Sequence, residues 1–182
     1  MGRYYLDTSI LGGLFINSSK RESTISLFAE WRREQHTLLM SAPMLTEFLS
    51  VCQKSAARNT GIGVSKAERE DIARKEGGLV YKGAVSIMMA ERNVRLLPIW
   101  KINMQNIFLR AHQIIWDTGA PVNTFDDPSK RRGFDLMPTS IMDIIHVLFA
   151  RQSDCDEFHT FDKGIRDISS HEMIRPMRVV IH

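Results

Sequence analysis

Apolar positions along the chain alternate between short continuous runs and longer stretches with helical spacing. The short runs predict five strands, at 3–7, 38–41, 94–98, 158–160 and 178–181. The helical stretches predict helices at 10–16, 23–35, 43–52, 69–76, 79–92 and 103–117, and a further helix from Pro138. Because parallel neighbours require crossover connections, this alternation predicts an α/β fold around a mostly parallel central sheet of four to five strands.

Local signals sharpen some of these boundaries. Ser23 is expected to cap the second helix, and the sequence Ser65-Lys66-Ala67-Glu68 matches a capping box before the short helix at 69–76. Met88 and Met89 are expected to be buried in the helix at 79–92. Two polar stretches, at 56–78 and 120–136, are interpreted as insertions in a single domain that covers residues 1–182.

Composition and charge exclude several classes of protein. With 182 residues, 43% of them hydrophobic, the chain is typical of a globular domain and not of a disordered or fibrous protein. The two cysteines, Cys52 and Cys155, match no disulfide framework or thiolate metal motif and are expected to be small buried side chains. No signal peptide and no long apolar run is visible, so a cytoplasmic protein without a membrane segment is expected. A net charge of +3 permits a nucleic-acid partner without requiring one.

Four acidic residues occupy positions that such a sheet would bring together. Asp7 follows the first strand, Asp162 follows the fourth, and Glu47 and Asp143 lie on helices. Ligands of open α/β sheets bind at the carboxyl ends of the strands, where grouped carboxylates need a cation. Oxygen ligands favour Mg²⁺ or Mn²⁺. The hydroxyls of Ser9 and Thr160 are expected to orient the neighbouring carboxylates.

The segments around these acids resemble the motifs of PIN-domain ribonucleases, most of all the toxins of VapBC toxin–antitoxin pairs. In order, they are Leu6-Asp7-Thr8-Ser9-Ile10-Leu11, Leu45-Thr46-Glu47-Phe48, Asp143-Ile144-Ile145-His146 and Thr160-Phe161-Asp162-Lys163-Gly164. The resemblance implies a PIN-like three-layer sandwich and a metal-dependent endoribonuclease whose catalytic and metal-binding residues are Asp7, Glu47, Asp143 and Asp162. It also implies Mg²⁺ or Mn²⁺ as cofactor, an RNA substrate, products with 5′ phosphates and 3′ hydroxyls, a homodimer and a small antitoxin.

The chain departs from the toxin pattern in its length and at one position. The two insertions make it long for a VapC toxin, and His146 stands where small or aliphatic residues are usual. Since no second histidine stands at metal-ligand spacing, His146 is interpreted as a hydrogen-bonded helix histidine. The basic residues Lys130, Arg131 and Arg132, with Lys163 and Arg166 beside Asp162, are either solvated charges or contacts for an RNA backbone.

Two other functions are compatible with the same residues. Asp7 could be the nucleophile of a haloacid dehalogenase-like phosphatase, although that family needs a second aspartate two residues later, where this chain has Ser9. The chain could also be a non-catalytic PIN-like module that binds nucleic acid or a protein partner. Retention of all four acids argues against the second alternative.

Overall fold

The structure, a computed structural model, describes residues 1–61, 63–98, 102–118 and 141–182. The predicted insertion at 120–136, with Lys130, Arg131 and Arg132, and the predicted start of a helix at Pro138 lie outside the described residues. In the described ranges, no helix is both long enough and apolar enough to cross a membrane.

Strands and helices alternate along the described chain. In order, they are β1 (Arg3–Leu6), α1 (Thr8–Phe15), α2 (Ser18–Arg33), β2 (Thr37–Met40), α3 (Ala42–Arg58), α4 (Lys66–Ala90), β3 (Val94–Leu96), α5 (Met104–Thr118), α6 (Ile141–Gln152), β4 (Glu157–Thr160), a 3-10 helix (Lys163–Asp167) and β5 (Arg178–Ile181). The five strands form one sheet in the order β3-β2-β1-β4-β5. The α/β fold class and the five strands are therefore confirmed.

The chain divides into two compact units. Unit 1 is Met1 with Leu6–Leu97, and unit 2 is Gly2–Tyr5 with Pro98–His182. The prediction of a single domain over residues 1–182 stays a prediction.

Unit 1 is built around β2, β3 and four helices. β2 pairs with β3 in parallel, α3 packs along α4, and α1 packs against α2 and α3. The side chain of Ser41 caps α3 by accepting a hydrogen bond from the amide of Met44, and Pro43 lies in the first turn, where its missing N–H costs nothing. The helix therefore begins directly after β2 and carries Glu47 in its second turn.

The region from Lys66 to Ala90 forms one helix of 25 residues, so the predicted division into helices at 69–76 and 79–92 is wrong. The capping box of Ser65 and Glu68 is present and begins this helix. Gly77 does not interrupt α4 but lies against the backbone of α3. A Cβ added at this position would lie only 2.6 Å from the Cα of Gln53. A glycine that looks like a helix break in the sequence is needed here for helix packing.

The same continuous helix corrects the prediction for the two methionines. Met88 is 1% exposed, whereas Met89 is 48% exposed. The buried residues of α4, which are Gly77, Ala84 and Met88, follow one narrow stripe, and Met89, turned about 100° from Met88, lies outside it.

Helix α2 begins five residues earlier than predicted. Asn17, and not Ser23, caps it, with its side chain accepting a hydrogen bond from the amide of Ser19 at 3.1 Å. At the other end Gln35 adopts a left-handed backbone conformation with φ of 59°, which ends the helix at Arg33.

Unit 2 has α6 at its centre. The seven residues from Ile144 to Ala150 are all buried, and α6 packs against α5 and β4. β4 pairs in parallel with β5, with Glu157 opposite Arg178 and Thr160 opposite Ile181. The side chains of Glu157 and Arg178 form an ion pair at the start of both strands.

One cysteine belongs to each unit, and neither forms a disulfide. Burial raises the pKa of Cys52 to about 11 and that of Cys155 to about 12. Both are therefore protonated thiols at neutral pH, and the prediction of small buried side chains is confirmed.

Candidate active site

Asp7 joins β1 to α1. It is 4% exposed and is the N-cap of α1. Its Oδ2 accepts hydrogen bonds from the hydroxyl of Ser9 at 2.6 Å and from the amide of Ser9 at 3.4 Å. The strand, the cap and the hydroxyl together hold the carboxylate in one place at the helix N-terminus, where the helix dipole favours a negative charge. The bond from the Ser9 hydroxyl agrees with its expected role in orienting Asp7, and that role stays a prediction.

Thr8 links α1 to α3. Its hydroxyl donates a hydrogen bond of 2.6 Å to Oε2 of Glu47, a half-buried residue 39 positions later in the chain. A short bond from a hydroxyl to a carboxylate is charge-assisted and stronger than one between neutral groups. Since Thr8 directly follows Asp7, this bond brings the Glu47 carboxylate to the place where β1 ends.

Thr8, unlike Ser9 and Thr160, was not predicted from the sequence to orient a carboxylate. Thr8 is 6% exposed, and a buried hydroxyl requires a hydrogen-bond partner. The sequence indicated the burial of Thr8, because this residue stands between a strand and an apolar helix. It gave no indication that Glu47 is the hydrogen-bond partner.

Asp143 lies in the first turn of α6, at the point where this helix passes from the surface into the core of unit 2. Ile141 and Met142 are 40% and 37% exposed, Asp143 is half-buried, and every residue from Ile144 to Ala150 is buried. The first turn of a helix stabilises a negative charge. Asp143 therefore stands at the boundary between the exposed start of α6 and its buried part.

Asp162 repeats in unit 2 the arrangement of Asp7 in unit 1. It follows β4 and caps the 3-10 helix, with Oδ1 accepting a hydrogen bond from the amide of Gly164 at 2.7 Å. The other carboxylate oxygen forms no hydrogen bond within the described residues. Thr160, which is fully buried, accepts a hydrogen bond from the backbone amide of Asp162 at 2.8 Å. Through this bond Thr160 holds the turn that carries Asp162, and its expected role in orienting the carboxylate stays a prediction.

Two predicted RNA contacts, Lys163 and Arg166, lie on this 3-10 helix. Both side chains are exposed, and neither forms an ion pair with another described residue. His146 is fully buried, with Nδ1 3.2 Å from the hydroxyl of Tyr5. Its interpretation as a hydrogen-bonded helix histidine is confirmed.

The acids are distributed over both units: Asp7 and Glu47 belong to unit 1, whereas Asp143 and Asp162 belong to unit 2. Across the described ranges, no group of three or more histidine, cysteine, aspartate or glutamate side chains stands together as a metal site. The groups described around Asp7 and Glu47 are carboxylate and hydroxyl oxygens, and Mg²⁺ and Mn²⁺ prefer oxygen ligands. The chemistry of these donors therefore fits such an ion.

Neither a protein-family model nor a curated protein matches the chain. Among solved structures, the chain is similar to the crystal structure of VapC20 from Mycobacterium tuberculosis, a toxin that cleaves the sarcin-ricin loop. The TM-score is 0.52 and the sequence identity is 14%, over 90% of this chain and 92% of that chain. A likeness at this identity shows the fold, and it agrees with the resemblance carried by the four acidic motifs. The chain therefore has an α/β, PIN-like fold, the fold of the VapC20 toxin.

Proposed function

We propose that this protein is a metal-dependent endoribonuclease that hydrolyses RNA phosphodiester bonds. The observation that carries the proposal is the hydrogen bond from Thr8 to Glu47 beside the capped carboxylate of Asp7. It joins α1 to α3 and fixes the Glu47 carboxylate on the residue that follows Asp7, in a chain with the PIN-like fold. Burying ionised groups in this way is costly unless a cation or hydrogen bonds stabilise them.

In this proposal Asp7, Glu47, Asp143 and Asp162 would hold one or two Mg²⁺ or Mn²⁺ ions. Such an ion, when bound, activates water at neutral pH and stabilises the negative charge that develops on the phosphate in the transition state. Asp7 and Asp162 are well suited to hold it, because each carboxylate is fixed by a cap. Thr8 contributes by fixing one oxygen of Glu47.

The other residues bind and orient the RNA. Lys163 and Arg166 are exposed cations on the helix that Asp162 caps, so they would hold backbone phosphates next to this carboxylate. The oxygen of water forms a bond to phosphorus while the bond from phosphorus to the 3′ oxygen breaks. The products are a 5′ phosphate and a 3′ hydroxyl, and no covalent enzyme intermediate forms.

A finer proposal is that the protein is the toxin of a VapBC-type pair. It rests on the four motifs and on the fold shared with VapC20, which is itself a toxin. The proposal includes a homodimer and a small antitoxin that blocks the acidic site. Co-purification of a small DNA-binding protein with the tagged chain would support it, and a solitary, non-toxic homodimer would contradict it.

The test compares the wild-type protein with Asp7→Asn on a mixed RNA pool in Mg²⁺, Mn²⁺ or EDTA. Asparagine is as good an N-cap as aspartate, so this variant keeps the start of α1 and loses only the charge. We expect cleavage by the wild-type protein with either metal, none in EDTA, and a rate at least about a hundredfold lower for Asp7→Asn. Asp167→Asn, the same change at an exposed residue, is the matched control and should cleave normally.

Equal cleavage by Asp7→Asn and wild type would contradict the proposal. RNA binding without cleavage in any metal would favour the non-catalytic module, and an aspartyl phosphate trapped on Asp7 would favour the phosphatase.

A further inference from the structure

Tyr5 and His146 form a buried polar pair in unit 2. Both residues are fully buried, and the Tyr5 hydroxyl lies 3.2 Å from Nδ1 of His146. His146 occupies a helix in which the flanking residues from Ile144 to Ala150 are all buried. An aliphatic residue would fill this place without having to satisfy two polar groups, so the pair calls for a purpose beyond packing.

The position of Tyr5 indicates that purpose. Its hydroxyl contacts α6, while its ring stacks on Phe158 of β4, with ring centroids 5.4 Å apart and an interplanar angle of 11°. Tyr5 therefore contacts α6, which carries Asp143, and β4, after which Asp162 follows. His146 lies one helical turn after Asp143, and Phe158 lies four residues before Asp162.

A hydrogen bond adds what stacking alone cannot supply. Apolar packing is non-directional, whereas the bond between Oη and Nδ1 has a preferred distance and direction, so it restricts how far α6 can slide or rotate. One turn of helix separates this fixed point from the Asp143 carboxylate. The pair therefore lies one turn from the residue whose position it would restrict.

We propose that Tyr5 and His146 are positioning residues that fix α6 against β4 and so set the places of the Asp143 and Asp162 carboxylates for metal binding. This inference rests on the proposed function for its purpose, because it assigns the pair to the proposed metal ligands. Neither residue touches the metal or the RNA in this account.

The test uses the double variant Tyr5→Phe/His146→Leu. Removing both polar partners together avoids leaving one of them buried without this bond, so we expect the unfolding midpoint to stay close to the wild-type value. Phenylalanine keeps the stack on Phe158. Gln152→Leu is the matched control, because it removes a hydrogen bond to Asn106 from the other end of α6.

Two readouts separate positioning from general stability. The first is hydrogen exchange, measured without metal, at the backbone amides of Ile145 and Gly164. Ile145 lies two residues after Asp143, and the Gly164 amide donates a hydrogen bond to the Asp162 carboxylate. We expect exchange about tenfold faster at both amides and unchanged elsewhere in unit 2. The second is Mn²⁺ affinity, followed by electron paramagnetic resonance, which we expect to fall about tenfold. The control should change neither.

The outcomes distinguish this inference from the proposed function. Unchanged exchange at Ile145 and Gly164, or an equal increase throughout unit 2, would overturn the positioning role whatever the protein does to RNA. Faster local exchange together with a wild-type protein that binds no Mn²⁺ and cleaves no RNA would uphold the positioning of the two turns and refute the proposed function. If the double variant does not fold, Tyr5→Phe provides the test: it removes the hydroxyl and keeps the ring on Phe158, so exchange at both amides should rise, and unchanged exchange would overturn the positioning role.

Discussion

Gly77 and Gly78 are adjacent in the middle of α4, yet we expect opposite effects when each is replaced by alanine. A Cβ at Gly77 would lie 2.6 Å from the Cα and 2.8 Å from the amide nitrogen of Gln53 in α3. A Cβ at Gly78 would have nothing within 4 Å. The pair is therefore a matched test of how α3 and α4 pack.

The size of each effect follows from these distances. Against the 3.4 Å at which ordinary contact begins, the Cβ at Gly77 is about 0.8 Å too close to a backbone atom, which cannot rotate away as a flexible side chain can. Overpacking of this kind costs roughly 1–3 kcal/mol, and we expect the upper end. The helix propensity of alanine returns about 1 kcal/mol. Gly77→Ala should therefore lower the free energy of unfolding by about 2 kcal/mol, while Gly78→Ala should raise it by roughly 0.5–1 kcal/mol.

Urea unfolding followed by circular dichroism at 222 nm measures both variants against the wild type. A change in the midpoint with an unchanged slope reports stability, whereas a changed slope would report a different folded or denatured state. By thermal unfolding, a loss of about 2 kcal/mol corresponds to a melting temperature roughly 4–8 °C lower for a chain of this size. If Gly77→Ala is as stable as Gly78→Ala, the close packing of α3 on α4 at Gln53 is refuted.

Two further predictions concern single hydrogen bonds. Thr8→Val removes the 2.6 Å hydrogen bond to Glu47 without changing the side-chain shape. We expect the free energy of unfolding, measured in urea, to fall by about 1.5–3 kcal/mol and Mn²⁺ binding to become at least about tenfold weaker. The control Thr46→Val loses only an exposed hydrogen bond within α3 and should change neither quantity by much. Hydrogen bonds from the hydroxyl and then the amide of Ser65 lower the pKa of Glu68 below its usual 4.5, so this contact stabilises the fold fully above pH 4.5 and less as the pH falls through the lowered pKa. The stability difference between the wild type and Glu68→Ala should accordingly shrink between pH 7 and pH 3, and a constant difference would contradict the capping box.

Local signals in the sequence were sufficient to predict many elements. The capping box at Ser65 was predicted correctly, since a cap depends on residues only a few positions apart. The strand at 178–181 was predicted with its observed bounds. Asp7 and Asp162 were singled out for the same local reason: each is an acid within two residues of the end of a strand, and each proves to be a cap.

Features that depend on distant contacts could not be predicted in this way. Gly77 marks a break in a local pattern, and only the backbone of Gln53 shows why the helix continues through it. The partner of Thr8 is 39 positions away, and Tyr5 is 141 positions from His146. Such pairings are set by the tertiary fold, which a single sequence does not reveal.

The central claim is that acidic side chains at the ends of the strands support hydrolysis of RNA. The most direct measurement is end analysis of RNA treated with Mn²⁺ and the wild-type protein, Asp162→Asn or Asp167→Asn. Asparagine at 162 retains the cap on the 3-10 helix, and Asp167 is an exposed residue of the same helix. The account predicts new 5′-phosphate ends with the wild type and Asp167→Asn and almost none with Asp162→Asn. New ends of equal number with all three proteins, or ends that carry 3′ phosphates, would contradict it.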